Sequence, residues 1–206
     1  MKNIFHLVLK SYFNGHSSYI AEVRCKNKKT LDMGCGFGSF LKYDKDNFTG
    51  IEINDIAIEY CKKNNFKVEK INANKIPFES ESFDKVVALQ VIEHLTIDDA
   101  YNMLTEAERI LKKDGELILS TEMNTKTFWD TFSHVKPYPP KSILKMLLND
   151  DTGLETFAKI KKLKPTEIYY SGKFYKNKML SIISQLMANY FNIGRINYTI
   201  ILKREH

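Results

Sequence analysis

Cysteine is scarce in this chain, and what there is makes no pattern. Cys25, Cys35 and Cys61 are an odd number at spacings that suit neither a zinc knuckle nor a redox pair, which disfavours disulfide and metal frameworks. The five histidines are scattered, with no pair at helical ligand spacing, so no metal is expected. Long apolar runs are missing too. A stretch such as Val86 to Leu89 falls far short of the roughly 20 residues a membrane helix needs. The opening segment MKNIFHLVLK is broken by His6 and Lys10 and is followed by no small-residue cleavage site, so the expectation is a cytoplasmic protein.

What is present fits a single globular domain: 206 residues, 43% of them hydrophobic and 27% charged. The formal charge of +6 and a pI near 9.0 leave room for an anionic partner, with Lys26, Lys28, Lys29 and the Lys159 to Lys164 segment as basic density. Without interleaved aromatics, that density reads as a solvated face rather than a nucleic-acid groove.

No internal repeat or low-complexity linker interrupts the chain, and strand-like segments alternate with helix-like ones, which predicts an α/β fold around a mostly parallel sheet. A helix over Ser17 to Cys25 leads to a strand at Thr30 to Met33, a glycine loop, and a second helix opening near Ser39. A strand ending in GIEIN, residues 50 to 54, precedes a helix from Asp55, its plausible cap, to Asn64. Val68 to Ile71 and the continuous apolar run Lys85 to Leu89 read as further strands, the latter buried on both faces. A helix from Asp98 to Leu111 stops at KKDG, and Glu116 to Thr121 returns as a strand. Beyond it come a Pro-rich segment at Pro137 to Pro140, a helix over Lys141 to Asn149, and strand-like pieces near Phe157 to Leu163 and Asn197 to Leu202. A helix over Asn177 to Phe191 carries Met179, Ile182, Ile183, Leu186, Met187 and Tyr190 on one face and serves as core, substrate lid or membrane-surface contact. The expected division is an N-terminal helical cap (1–29), a core (30–121) and a C-terminal region that completes the sheet (122–206).

The most informative segment is LDMGCGFGSF, in which Asp32 ends a strand just before Gly34, Gly36 and Gly38. Glycines there let the backbone turn sharply and approach a ligand. A dinucleotide loop wants G-x-G-x-x-G/A and an anion on a helix N-terminus. Here Ser39 stands where the last small residue belongs, and the carboxylate of Asp32 suits an ammonium and a sulfonium better than a pyrophosphate. Glu52, twenty residues on at the end of the next strand, is placed to accept from ribose hydroxyls. Asn72 could bond an adenine edge that small Ala73 lets approach, or be a turn-former in the run NANK.

The order LDMGCGFGSF, GIEIN, INANKIPFESESFDKVVALQVIEHL and RILKKDGELILST resembles the small class I S-adenosylmethionine-dependent methyltransferases, nearly continuously over residues 30 to 121. The resemblance implies a doubly wound, seven-stranded, mostly parallel sheet with helices on both faces and an antiparallel last strand. It assigns Asp32, Gly34, Cys35, Gly36 and Gly38 to the methionine part of S-adenosylmethionine, Glu52 to the ribose, and Ile53, Asn72 and Ala73 to the adenine. Leu89 and Gln90 would close the pocket.

The acceptor must meet the methyl group in line, and an acceptor that loses a proton is helped by a base within reach. His94 and His134 are the candidates, with Tyr138 and Trp129 as pocket walls or core. Gln90-Val91-Ile92-Glu93 is not the Asn/Asp-Pro-Pro-aromatic run of enzymes that methylate exocyclic base amines, so a small-molecule oxygen, nitrogen or carbon is expected; an RNA or protein substrate and a non-catalytic scaffold are the alternatives. Some quinone-pathway O-methyltransferases bind a divalent metal through Glu-x-x-Glu-His, and Gln90 at the first of these positions removes a charged ligand.

Overall fold

The computed structural model describes residues 16–147, 160–173 and 177–206. Seven strands form one sheet in the order β3-β2-β1-β4-β5-β7-β6. They are β1 (Thr30–Met33), β2 (Phe48–Glu52), β3 (Val68–Lys70), β4 (Phe83–Leu89), β5 (Leu111–Glu122), β6 (Leu163–Ser171) and β7 (Asn197–Arg204). The first five are mutually parallel, while β7 runs antiparallel to both β5 and β6. The strand order reverses between β1 and β4, which opens a crevice at their carboxyl ends.

Helices cover both faces because the inner strands are apolar on both. Val86 and Ala88 point into one core with Met103, Leu104 and Ala107 of α3 (Ile97–Ile110) and Ile143 of α4 (Pro140–Leu147). Val87 between them points into the other, with Ile20 and Ala21 of α1 (His16–Cys25) and Ile58 and Cys61 of α2 (Asp55–Lys63). Arg24 of α1 pairs with Glu116 of β5 at 3.0 Å and with Glu167 of β6, tying the cap helix to both halves of the sheet.

Several expectations need correction. No α-helix opens at Ser39; only a single 3-10 turn, Leu41–Tyr43, forms. Nine residues separate Gly38 from Phe48, and Asp44 closes them into a turn by accepting from the backbone and side-chain amides of Asn47. The cap of α2 is Asn54, whose side chain accepts from Ile56 and Ala57, not Asp55. α3 begins after Thr96 and ends at Ile110, so KKDG already lies in β5. Of the strand-like piece at 157–163, residues 157–159 lie outside the described residues, 160–162 are irregular, and β6 starts at Leu163, where that piece was expected to end.

The last helix, α5 (Lys178–Tyr190), buries its apolar stripe only in part, with Ile182, Leu186 and Met187 half-buried. Ser181, Gln185 and Ala188 are its buried positions, while Met179, Leu180, Ile183 and Tyr190 face outward. It docks on β6 through polar atoms. Gln185 accepts from the backbone N–H of Gly172 at 3.0 Å and donates to its carbonyl at 2.9 Å. A Cβ on Gly172 would lie 2.5 Å from the carbonyl oxygen of Ser184, so the absence of a side chain there permits the close approach.

Candidate active site

At the carboxyl end of β1 the chain passes Asp32 and enters a loop with three left-handed glycines: Gly34 at φ +68°, Gly36 at +51° and Gly38 at +73°. All three conformations favour glycine, but their surroundings differ. A Cβ on Gly34 would meet Val91 at 2.7 Å, and one on Gly38 would meet Phe66 at 2.6 Å. At Gly36 a Cβ would meet nothing within 4 Å, so this glycine faces open space. Cys35 turns its side chain away into the core against Gly50, and burial pushes its thiol pKa up, leaving an inert packing group.

Asp32 is 3% exposed. Its carboxyl pKa is pushed up to about 8, first by burial and then by the neighbouring Glu52 carboxylate. A buried acid held this way is stabilised as an anion by a cation placed beside it. The loop offers no α-helix N-terminus to hold a phosphate, so the electrostatics favour a positively charged ligand.

Glu52 does more than the sequence suggested. One of its oxygens accepts from the backbone N–H of Gly36 at 2.9 Å, and the other from Ile53 at 2.8 Å and Asn54 at 3.0 Å. It therefore clamps the glycine loop to the end of β2, with one lone-pair direction still free for a hydroxyl. Ile53 is 63% exposed beside it, and Phe37 and Tyr60, also exposed, meet edge to face at 5.4 Å. The meeting of Phe37 and Tyr60 has no signal in the sequence, since an aromatic inside a glycine loop and one on a helix share no spacing. Asn72 uses its side-chain oxygen on the backbone N–H of Asn74 at 3.1 Å, a local turn, with Ala73 half-buried behind it. Leu89 is half-buried at the exit of β4. Gln90, at φ +58°, is bound to Ser120 of β5 by its backbone and its side-chain amide.

After β4 a 3-10 turn, Ile92–His94, carries Glu93 and His94, and the loop after β5 brings His134 back against them. The two imidazole rings lie 4.9 Å apart at 62°. His94 Nδ1 bonds the carbonyl of Ser133 at 3.0 Å and His134 Nδ1 that of Phe128 at 2.7 Å; because a carbonyl only accepts, Nδ1 is the protonated nitrogen of both rings. His94 thus reaches across to the loop that follows β5. Tyr138 is core, its hydroxyl donating to Leu95, whereas Trp129 is exposed.

A family model described as a methyltransferase domain matches residues 31–119, which span the glycine loop, the Glu52 clamp and the whole of α3. Over that segment the chain is similar to methyltransferase domains, among them a probable S-adenosylmethionine-dependent methyltransferase of Mycobacterium tuberculosis. An uncharacterized protein of Methanocaldococcus jannaschii is 41% identical over 99 residues, 46% of this chain and 42% of that protein. A ubiquinone biosynthesis O-methyltransferase of Haemophilus ducreyi is 29% identical over 108 residues, 46% of this chain and 45% of that enzyme. The chain therefore spans less than half the length of these relatives. Among solved structures, a SAM-dependent methyltransferase from Archaeoglobus fulgidus superposes with a TM-score of 0.64 at 19% identity, covering 97% of this chain and 99% of that one. The methyltransferase cofactor is S-adenosylmethionine, and the open Gly36, the buried Asp32 and the Glu52 clamp fit its cationic end and its ribose.

Proposed function

We propose that this chain transfers the methyl group of S-adenosylmethionine to a small-molecule oxygen, nitrogen or carbon in the cytoplasm. The reading rests on one arrangement: a cation-seeking pocket at Asp32 and Gly36 on the same sheet edge as two oriented imidazoles, His94 and His134. Val91, which abuts Gly34, joins the two halves of that edge. The small-molecule acceptor draws support from the ubiquinone-pathway relative.

Bound S-adenosylmethionine supplies a methyl group already activated on a sulfonium. Asp32 fixes the cationic end, Glu52 holds the loop and accepts from a hydroxyl, and Ile53, Phe37 and Tyr60 shield an aromatic ring from water. With Nδ1–H held by a carbonyl, each histidine keeps its Nε2 lone pair for an acceptor proton. The leaving thioether needs no proton, so positioning is the protein's main contribution.

Calorimetry with S-adenosylmethionine, S-adenosylhomocysteine and NADH, followed by methyl transfer from labelled cofactor to a panel of phenols, amines and carbon acids, tests this. Micromolar binding of the two sulfur compounds but not NADH, and label transfer to one acceptor class, is the expected result. Folded protein that binds neither sulfur compound defeats the reading.

A further inference from the structure

α5 turns polar atoms toward the protein and apolar side chains away from it, the reverse of the usual amphipathic arrangement. At about 100° per residue, Met179, Ile183 and Tyr190 fall within about 40° of one another on one side of the helix, and Ser181, Gln185 and Ala188 within about 60° on the opposite side. The second group is buried and the first is exposed. Ile182, Leu186 and Met187 are half-buried. Gln185 spends its amide on Gly172, and Asn189 accepts from the backbone N–H of Tyr170 at 3.2 Å and donates to its carbonyl at 2.6 Å. Hydrogen bonds thus hold the inner side, and the outer side is left to something other than the core.

The apolar exposure is concentrated. Met179, Leu180, Ile183, Tyr190, Phe191 and Ile193 are six of the fifteen large apolar side chains exposed among the described residues, and they lie within fifteen consecutive positions. Single exposed apolar residues are ordinary on a protein surface, whereas a cluster marks a face that something covers. The local structure keeps this cluster in place. The side chain of Asn177 caps the helix by accepting from the backbone N–H groups of Met179 and Leu180 at 2.9 and 3.2 Å. At the other end Phe191 donates its N–H to Met187 at 3.1 Å and Arg195 donates to the carbonyl of Ala188 at 2.9 Å, which fastens the turn that carries Phe191 and Ile193.

Charge decides what covers it. The chain has 25 acidic residues, yet none lies between Glu167 and Glu205, while Lys173, Lys176 and Lys178 lead into the helix and Arg195 follows it. The complementary surface is therefore apolar within and anionic around its rim. A second copy of this chain docked face to face would bring these cations together, which opposes the contact. An anionic bilayer supplies both parts: hydrocarbon below the headgroups for Met179, Leu180 and Ile183, headgroup depth for the rings of Tyr190 and Phe191, and phosphates for the cations. With 13 residues α5 is too short to cross a membrane, so it lies in the plane of the surface.

We infer that α5 and the turn after it seat the protein on the surface of an anionic lipid bilayer, through Met179, Leu180, Ile183, Tyr190, Phe191 and Ile193. The turn enters β7 at Asn197, opposite Glu122 at the carboxyl end of β5, so it lies at the sheet edge that also carries the glycine loop and the two imidazoles. The inference goes beyond the methyltransferase reading and stands without it.

The test is flotation of the full chain with vesicles of phosphatidylcholine mixed with phosphatidylglycerol, and with vesicles of phosphatidylcholine alone. The wild type is compared with the double variant Met179→Ser/Ile183→Ser, which leaves the net charge unchanged, and with Val23→Ser/Ile56→Ser, which removes two exposed apolar side chains from α1 and α2. Circular dichroism checks that each is folded; all four positions are exposed, so the substitutions spare the core. The expected result is binding of the wild type to the mixed vesicles, weaker by about tenfold or more on the neutral ones and at high salt. The α5 variant loses about tenfold or more on the mixed vesicles, and the α1/α2 variant stays within about twofold of the wild type. A wild type that ignores the mixed vesicles, that binds neutral vesicles equally well, or that the α5 substitutions leave unchanged overturns the inference. Sedimentation of the protein without vesicles is expected to return a monomer; a dimer that the α5 variant dissolves would assign the face to a second copy and overturn it too.

Discussion

The glycine loop and the junction of α5 with β6 are both places where the backbone comes unusually close to something, and they are built in opposite ways. At the loop, Gly34 and Gly38 pack against Val91 and Phe66 while Gly36 between them stays open. At the junction, Gly172 lies under the α5 backbone and Gln185 satisfies both its N–H and its C=O. The first region leaves a space beside a buried acid, Asp32; the second leaves no polar group of Gly172 unpaired. An open region with a buried acid at its edge has room for a ligand to act, whereas a closed one holds the fold.

The widest separation between binding and folding lies inside the loop itself. Gly36→Val fills open space and forces a β-branched residue to positive φ; the expected outcome is more than a hundredfold loss of S-adenosylmethionine affinity, about 3 kcal/mol, with a far smaller change in melting temperature. Gly38→Val drives its side chain into Phe66, and the expected outcome is a destabilisation of about 3 kcal/mol or more, read by urea unfolding. Were both variants merely unstable, the loop would be scaffold and the contrast would vanish.

At the junction the same logic predicts loss of stability without loss of cofactor. Gln185→Leu leaves the N–H and C=O of Gly172 buried and unpaired, at a cost of about 2 to 4 kcal/mol. Calorimetry on the folded fraction should return the wild-type affinity for S-adenosylmethionine.

These two regions also differ in how much of them the sequence shows. The apolar run in β4, the three glycines and the acid before them are local patterns, and local patterns survive in a string of letters. The helix expected after the loop failed because Asp44 and Asn47 make a turn whose side-chain bonds outweigh weak helical periodicity. β6 hid behind Pro165 and a register shift between Pro165 and Glu167; as an edge strand bonded only to β7 it tolerates a residue that cannot donate. α5 misled for a different reason. Its apolar stripe suggested the buried face, yet its fully buried positions are Ser181, Gln185 and Ala188, with Ile182, Leu186 and Met187 only half-buried, and the hydrogen bonds of Gln185 to a strand end fix the docking. The meeting of His94 and His134 joins two loops, and no spacing rule announces it.

The buried acid Asp32 gives a smaller, pH-dependent effect. Folded Asp32 keeps its proton up to about pH 8, whereas an unfolded aspartate releases it near its ordinary value of about 3.9. Between these values the folded state binds more protons, so this group's contribution makes stability fall as pH rises from about 4 to about 8. A cation beside it favours the anion, so S-adenosylmethionine affinity rises over the upper part of that range and binding at pH 7 releases a proton. Asp32→Asn should remove both the proton release, measured by calorimetry in buffers of different ionisation enthalpy, and about tenfold of the affinity, about 1.4 kcal/mol. A variant that keeps the wild-type pH profile would place the cationic end of the cofactor elsewhere.

The smallest effect belongs to the outward stripe of α5. Leu180 and Ile183 are about half exposed and make no contribution to the two main cores, so Ile183→Lys should change unfolding free energy by no more than about 0.5 kcal/mol. The same change separates the remaining roles of this helix. If the stripe meets an anionic membrane surface, a lysine at its centre alters flotation with anionic vesicles; if it closes over the acceptor, the lysine raises KM for the acceptor while leaving cofactor affinity alone. A destabilisation of 2 kcal/mol or more, on the scale of a truncated core residue, would show instead that the stripe is covered, and that α5 is held by apolar packing as well as by Gln185.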